Sequence, residues 1–337
     1  MPRAPLSPAP ASPAPVAGSA RPERFVFLLL EQFTLIAFAG AVEPLRLANR
    51  MAGRTLYEWQ VVTETGGPVT ASNGVMVQAG AGLAELGRDA TIVVVGGLAV
   101  KAAITRPVLT WLRRGARRGL PVGALCTGAQ AIAAAGLLDG RRCTIHWENR
   151  DGFVEDFPDI ELAPNVYVID RDRFTAAGGA ASTDLMLALI ARRHGVELAN
   201  LVADQMIHTS IRSDRDAQRL SIPTRIGIRH PKLAAVIHRM EAAIEDPVSP
   251  AVLAEDAGMS TRQLERLFSR YLGRSPKRYY MELRLARARN LLMQTDMSVI
   301  EVALACGFTS PSHFSKCYRA LYRTTPYRER GASQAAG

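Results

Sequence analysis

The chain has 337 residues, 48% of them hydrophobic and 21% charged, with a formal charge of +10. That length exceeds one ordinary core and fits two domains, and the composition excludes a wholly disordered, collagen-like or disulfide-stapled chain. The longest apolar runs, 24–30 and 90–95, fall far short of the roughly 20 residues of a membrane span, and the 4 cysteines form no C-x-x-C pair, so a cytoplasmic protein off the membrane is expected.

Residues 1–22 are rich in Pro, Ala and Ser and are expected to form a disordered tail, since they cannot bury enough surface to offset ordering. Residues 23–210 alternate short apolar strands with helical patterns. RFVFLLL (24–30) reads as a strand and 35–51 as a helix, followed by short strands at 59–63 and 75–78. ATIVVV (90–95) runs into Gly96-Gly97, and one helix is expected from there through Trp111. PVGAL (121–125) leads into Cys126-Thr127-Gly128 and an Ala-rich helix. YVID (167–170) and FTAA (174–177) precede Gly178-Gly179 and a helix over 183–193. Strands apolar on both faces, alternating with helices, imply a mostly parallel α/β sandwich. Ligands of such sheets sit at the carboxyl ends of strands, here near Gly97 and Cys126.

Residues 211–228 are polar, charge-mixed and interrupted by Pro223, and read as a linker. The pattern is then helical through 229–330. From residue 228 onward there are 17 Lys/Arg against 10 Asp/Glu, and the preceding 227 residues hold the other 24 and 21. The excess of positive charge therefore lies in the last third, where it suits a polyanion.

That third contains a repeat. Ala254, Gly258 and Met259 recur 49 positions later as Ala303, Gly307 and Phe308. Leu264, Arg266, Phe268, Ser275 and Pro276 recur 50 positions later as Phe314, Lys316, Tyr318, Thr325 and Pro326. A small residue four before a turn glycine lets two helices approach, and Ser260 and Ser310 stand where N-caps belong. The polar faces that follow hold Arg262, Gln263 and Arg266 in one unit and Ser312, His313 and Lys316 in the other, side chains suited to base edges. The helix 276–293 between them spans ~27 Å at ~1.5 Å per residue. That approaches the ~34 Å between successive major grooves on one DNA face. Pro311 removes a possible polar contact from the second unit, which is expected to discriminate less.

IEVALACGFTSPSHFSKCYRALYRTTP (300–326) resembles the signature segment of the AraC/XylS regulators. The resemblance implies two helix-turn-helix heads on double-stranded DNA, with activation by contact with RNA polymerase. CTGAQAIAAAGLLDGRRCTIHW and FAGAVEPLRLANRMAG resemble the PfpI-like branch of the class I glutamine amidotransferase-like superfamily, and the two parts together resemble the GlxA family of regulators. Position alone leaves two readings of Cys126 open, a thiolate favoured by the helix N-terminus it opens and a small buried residue at a tight strand–helix join. In enzymes of the superfamily the cysteine is assisted by a following His and by an acid on the first helix. Here those places hold Thr127 and Ala37, so a sensor without catalytic residues is expected rather than an enzyme.

The AVEPLRLAN-like segment resembles regulators responding to arginine, carnitine or glycine betaine. An amine effector would then lie near Gly97, Cys126, Thr127 and His146, with Glu43 offsetting its charge and Trp147 receiving it by cation–π attraction. A homodimer through the first domain is implied, and neither metal nor cofactor is expected. A Cys126-dependent amidase or hydratase with a DNA-binding tail, and a non-inducible architectural DNA binder, are the rival readings.

Overall fold

The computed structural model describes residues 21–218, 222 and 230–335 (332–335 as backbone only). Nearly all of the expected tail and most of the expected linker, 219–221 and 223–228, lie outside the described residues.

The first domain runs β1 (Glu23–Leu29), α1 (Leu35–Ala52), β2 (Tyr57–Val62), β3 (Val69–Thr70), β4 (Met76–Val77), β5 (Ala90–Val95), α2 (Val100–Ala103) and α3 (Arg106–Arg117). It continues with β6 (Val122–Leu125), α4 (Gly128–Ala134), β7 (Arg142–Cys143), a 3-10 turn (Trp147–Asn149) and α5 (Arg150–Asp156). β8 (Glu161–Leu162), β9 (Tyr167–Asp170), β10 (Arg173–Ala176), α6 (Ala181–His194) and α7 (Val196–Gln205) complete it. Six strands form one sheet in the order β2-β1-β5-β6-β10-β9, parallel except where β9 runs against β10.

Strand alternation explains the two cores. Phe25, Phe27 and Leu29 of β1 pack toward α1, α6 and α7, while Val26 and Leu28 pack toward α3 and α4. The single helix expected after Gly97 is instead two. Thr105 caps a new helix through the Val108 N–H, and Pro107 at its start cannot continue the preceding one.

Residues 208–218 are fastened to this domain. Asp184 on α6 is fully buried, and its carboxylate accepts from His208 Nε2 (2.8 Å), the Arg212 backbone N–H (3.0 Å) and Arg212 Nε (2.8 Å). Gln218 donates to Thr144 Oγ1 (2.9 Å) and to the carbonyl oxygens of Ile145 (2.8 Å) and Asn165 (3.1 Å).

The second domain is helical: α8 (Pro231–Ala242), α9 (Pro250–Asp256), α10 (Thr261–Leu272), α11 (Pro276–Gln294), α12 (Val299–Ala305), α13 (Pro311–Tyr322) and α14 (Pro326–Ala335). It has two small cores. Leu233, Ile237, Leu253, Leu264, Phe268 and Tyr280 form one, and Leu285, Leu292, Val302, Phe308, Phe314 and Tyr318 form the other. α11 contributes Tyr280 to the first and Leu285 onward to the second, so one helix is the rod on which both units are built.

Candidate nucleic-acid interface and candidate effector corner

In the first unit, Gly258 turns the chain at φ +60° and Ser260 caps α10. The Gln263 N–H donates to Ser260 Oγ (3.3 Å), while Gln263 Oε1 accepts from the Ser260 N–H (2.8 Å), a reciprocal box that satisfies two end groups. Leu264 and Phe268 are buried, leaving Arg262, Gln263 and Arg266 exposed on the opposite side. Because its carbonyl oxygen serves the cap, Gln263 can offer a base only its amide hydrogens.

In the second unit, Gly307 turns at φ +72°, and Ser310 Oγ accepts from the His313 N–H (3.3 Å). Pro311 fits at the first helical position, where its missing N–H would have no helical partner. Phe314 and Tyr318 are buried, and Ser312, His313 and Lys316 are exposed. His313 Nε2 lies 3.4 Å from Cys317 Sγ, so one ring nitrogen already has a partner.

All six side chains expected to face bases are therefore on open surface. Sequence reasoning passed over Arg270, which is also exposed, with its guanidinium 5.3 Å from the centre of the Tyr271 ring. The four-residue spacing of Arg262, Arg266 and Arg270 was the available signal, since i and i+4 share a helix face.

The other corner is built around Cys126. The chain leaves β6 and turns sharply into α4, placing Cys126 at φ +58°, a left-handed conformation that costs a non-glycine residue energy. Gly178 makes room for it, since a Cβ there would lie 2.7 Å from Cys126 Cβ. Cys126 is 7% exposed, and its Sγ accepts from the Thr34 hydroxyl at 3.5 Å. Thr127 is buried and donates to the Gly97 carbonyl at 2.8 Å. Gly97 is needed for close approach: a Cβ there would sit 2.0 Å from the Gln32 carbonyl oxygen.

Burial pushes the Cys126 thiol above its ordinary value. The Thr34 hydroxyl and Thr127 N–H oppose that, while the Glu148 charge adds to it. The net direction is upward, which favours the reading of Cys126 as a small buried residue at a tight strand–helix join, because desolvation outweighs the hydrogen bonds. Burial likewise lowers His146, whose Nδ1 is 3.9 Å from Glu148 Oε2. Among the described residues, no hydrogen bond joins Cys126 to a histidine or carboxylate.

Trp147 is 42% exposed, with its ring centre 5.6 Å from that of His146. Glu43 stands apart from this group. It lies nine residues beyond Thr34, about 13 Å along α1 at ~1.5 Å per residue, and its carboxylate is paired with Arg46 at 2.6 Å.

Two family models match the chain. The DJ-1/PfpI family covers residues 23–192, and a helix-turn-helix domain covers residues 253–332. The HTH-type transcriptional regulator GbdR of Pseudomonas aeruginosa is 46% identical over 309 residues, 92% of this chain and 84% of that protein. The HTH-type transcriptional regulator GlxA of Rhizobium meliloti is 40% identical over 309 residues, covering 90% and 94% of the two chains. The crystal structure of an AraC family transcriptional regulator from Pseudomonas putida is 31% identical with a TM-score of 0.50, covering 55% of this chain and all (100%) of that one.

Proposed function

The chain belongs to the GlxA-type, AraC-family transcriptional regulators with a DJ-1/PfpI domain, and from that premise we propose an effector-controlled activator of a catabolic operon. The observation that carries the sensor reading is the Cys126 corner: a buried thiol, its pKa raised, whose side-chain partner is a hydroxyl. A nucleophile needs a base or a lowered pKa; among the described residues no hydrogen bond gives this thiol a base, and burial moves its pKa upward. We read the neighbourhood of Gly97, Cys126, Thr127, His146 and Trp147 as the place where a small amine or amino acid would be held. Burial holds His146 below its ordinary value, so at neutral pH it does not repel a cation.

The output is double-stranded DNA, read by Arg262, Gln263, Arg266, Ser312, His313 and Lys316. Activation would follow from contact with RNA polymerase beside the promoter, in the cytoplasm, with the first domain pairing two copies.

Thermal melting of the full chain with arginine, carnitine or glycine betaine tests the effector, since a ligand of the folded state stabilises by mass action. One of the three should raise the melting temperature and change affinity for the DNA upstream of the chain's own gene. If none does either, the amine reading is wrong. The left-handed turn at Cys126 favours a second reading, a Cys126-dependent amidase or hydratase with a DNA-binding tail. Turnover of small amides or nitriles that disappears in Cys126→Ala would establish it, whereas a Cys126→Ala chain that still responds to effector excludes it.

A further inference from the structure

One short segment, His146 to Asp156, formed by the 3-10 turn and α5, contacts α4 of the first domain on one side and α11 of the second domain on the other. At its far end Asp156 accepts from Gln130 Nε2 (2.8 Å) and Lys101 Nζ (2.9 Å). Gln130 is buried on α4, one helical turn beyond Cys126. At its near end, His146 and Glu148 face each other at 3.9 Å, and the Glu148 charge acts on the Cys126 thiol.

The outer side of the segment meets α11. Gln294 Nε2 donates to the Glu148 carbonyl (2.9 Å), and Arg287 Nε lies 3.5 Å from Asp151 Oδ2. Arg287 and Gln294 are seven residues apart, two turns along one helix face. Gly152 sits between these contacts, where an added Cβ would lie 3.1 Å from Gln294 Cβ and 3.4 Å from Thr295 Cγ2. The α5 backbone thus rests directly on the rod that carries both helix-turn-helix units.

We propose that the segment His146–Asp156 is the transmission element between the effector corner and the DNA grip. A molecule seated beside Cys126 displaces or engages His146 and Glu148, and the movement passes through α5 to Arg287 and Gln294. The inference rests on the regulator reading above and adds its route.

Two features suit the segment to this role. Among the described residues, the contact with α11 includes a hydrogen bond, a partly exposed ion pair and a glycine approach, interactions that can be remade at little cost. It also leaves all six expected base-facing side chains exposed, so it orients the units without plugging them. The same anchoring extends to the start of the inter-domain connection, where Gln218 is held on the Ile145 carbonyl, one residue before His146.

Coupling between two sites is reciprocal, so DNA binding must be felt at Cys126. The test uses the full chain and the rate of Cys126 alkylation by iodoacetamide, read on its own peptide, with and without DNA from upstream of the chain's gene. In the wild type, saturating DNA should change that rate several-fold. Asp151→Arg and Arg287→Asp should each still bind the DNA but lose the change, and the double exchange should restore it. Gly152→Leu, which wedges α5 away from α11, should lose it as well. A change of equal size in all variants, or none in the wild type, overturns the transmission role while leaving the regulator reading intact. A wild-type chain that fails to bind the DNA at all overturns both.

Discussion

The two helix-turn-helix units share a plan but place their stabilising devices differently. In the first, the reciprocal cap sits on the recognition helix, between Ser260 and Gln263. In the second it sits on the supporting helix, between Ser298 and Glu301, and the recognition helix starts with Ser310 and Pro311. α10 ends on Gly273 at φ +65°, whereas α13 ends on Arg323 at φ +60°. The turn glycines differ too. A Cβ on Gly258 would meet only Lys232 Nζ at 3.8 Å, but one on Gly307 would lie 2.6 Å from the Glu245 carbonyl oxygen and 2.7 Å from both the Ile244 carbonyl oxygen and Pro247 Cδ. The second unit's turn is thus packed against the first unit's α8–α9 connection. Arg284 locks it further, donating to the carbonyl oxygens of Cys306 (2.8 Å) and Gly307 (2.5 Å) with its guanidinium 4.2 Å from the Phe308 ring centre. The first unit's turn glycine stands in the open, whereas the second unit's turn is wedged against its neighbour.

That contrast can be broken at several points. The largest effect is expected at the turns. Gly307→Ala should cost on the order of 3 kcal/mol, combining left-handed strain with backbone overlap, while Gly258→Ala should cost roughly 1–2 kcal/mol from strain alone. Urea midpoints of the two variants check the order, and equal losses would dissolve the distinction. Next comes DNA reading: Arg266→Ala should weaken specific binding by ~1–3 kcal/mol and relax base preference, with a smaller loss of preference for Lys316→Ala. Competition between cognate and scrambled duplexes measures both, and the reverse order would make the second unit the main reader. Removing the caps should cost about 1 kcal/mol each, with Ser260→Ala above Ser310→Ala because the first also loses the Ser260 hydroxyl's bond to Gln263 Oε1 (3.3 Å). Amide exchange in the first turns of α10 and α13 resolves that difference. The smallest change has the opposite sign. Arg323→Gly should stabilise by roughly 0.5–1 kcal/mol by relieving a left-handed residue, and Gly273→Ala should destabilise by roughly 1–2 kcal/mol, as at Gly258. A pair of melting curves decides it.

Much of this was legible in the residues. The 49/50-residue register located both turns, both caps and the exposed faces, because helix capping and i, i+4 spacing are local rules that neighbouring residues satisfy among themselves. The strand-to-elbow arrangement at Cys126 was legible for the same reason. Arg270 was missed although the spacing pointed to it, and the break at Thr105–Pro107 was smoothed over by an apolar pattern that runs through it.

What the sequence alone determined, then, was most of the larger elements, the two-part α/β and helical plan, and the capped, exposed faces of the two repeated units. Tertiary structure decided the rest, because burial, distance and charge depend on residues far apart in the chain. It pushes the Cys126 thiol's pKa upward, since desolvation by the assembled core outweighs the Thr34 and Thr127 hydrogen bonds. It set Glu43 against Arg46 and away from the corner where a cation would sit. It also brought Asp151 and Gly152 of one domain onto Arg287 and Gln294 of the other, across more than 130 positions of sequence, a contact that no local pattern could announce.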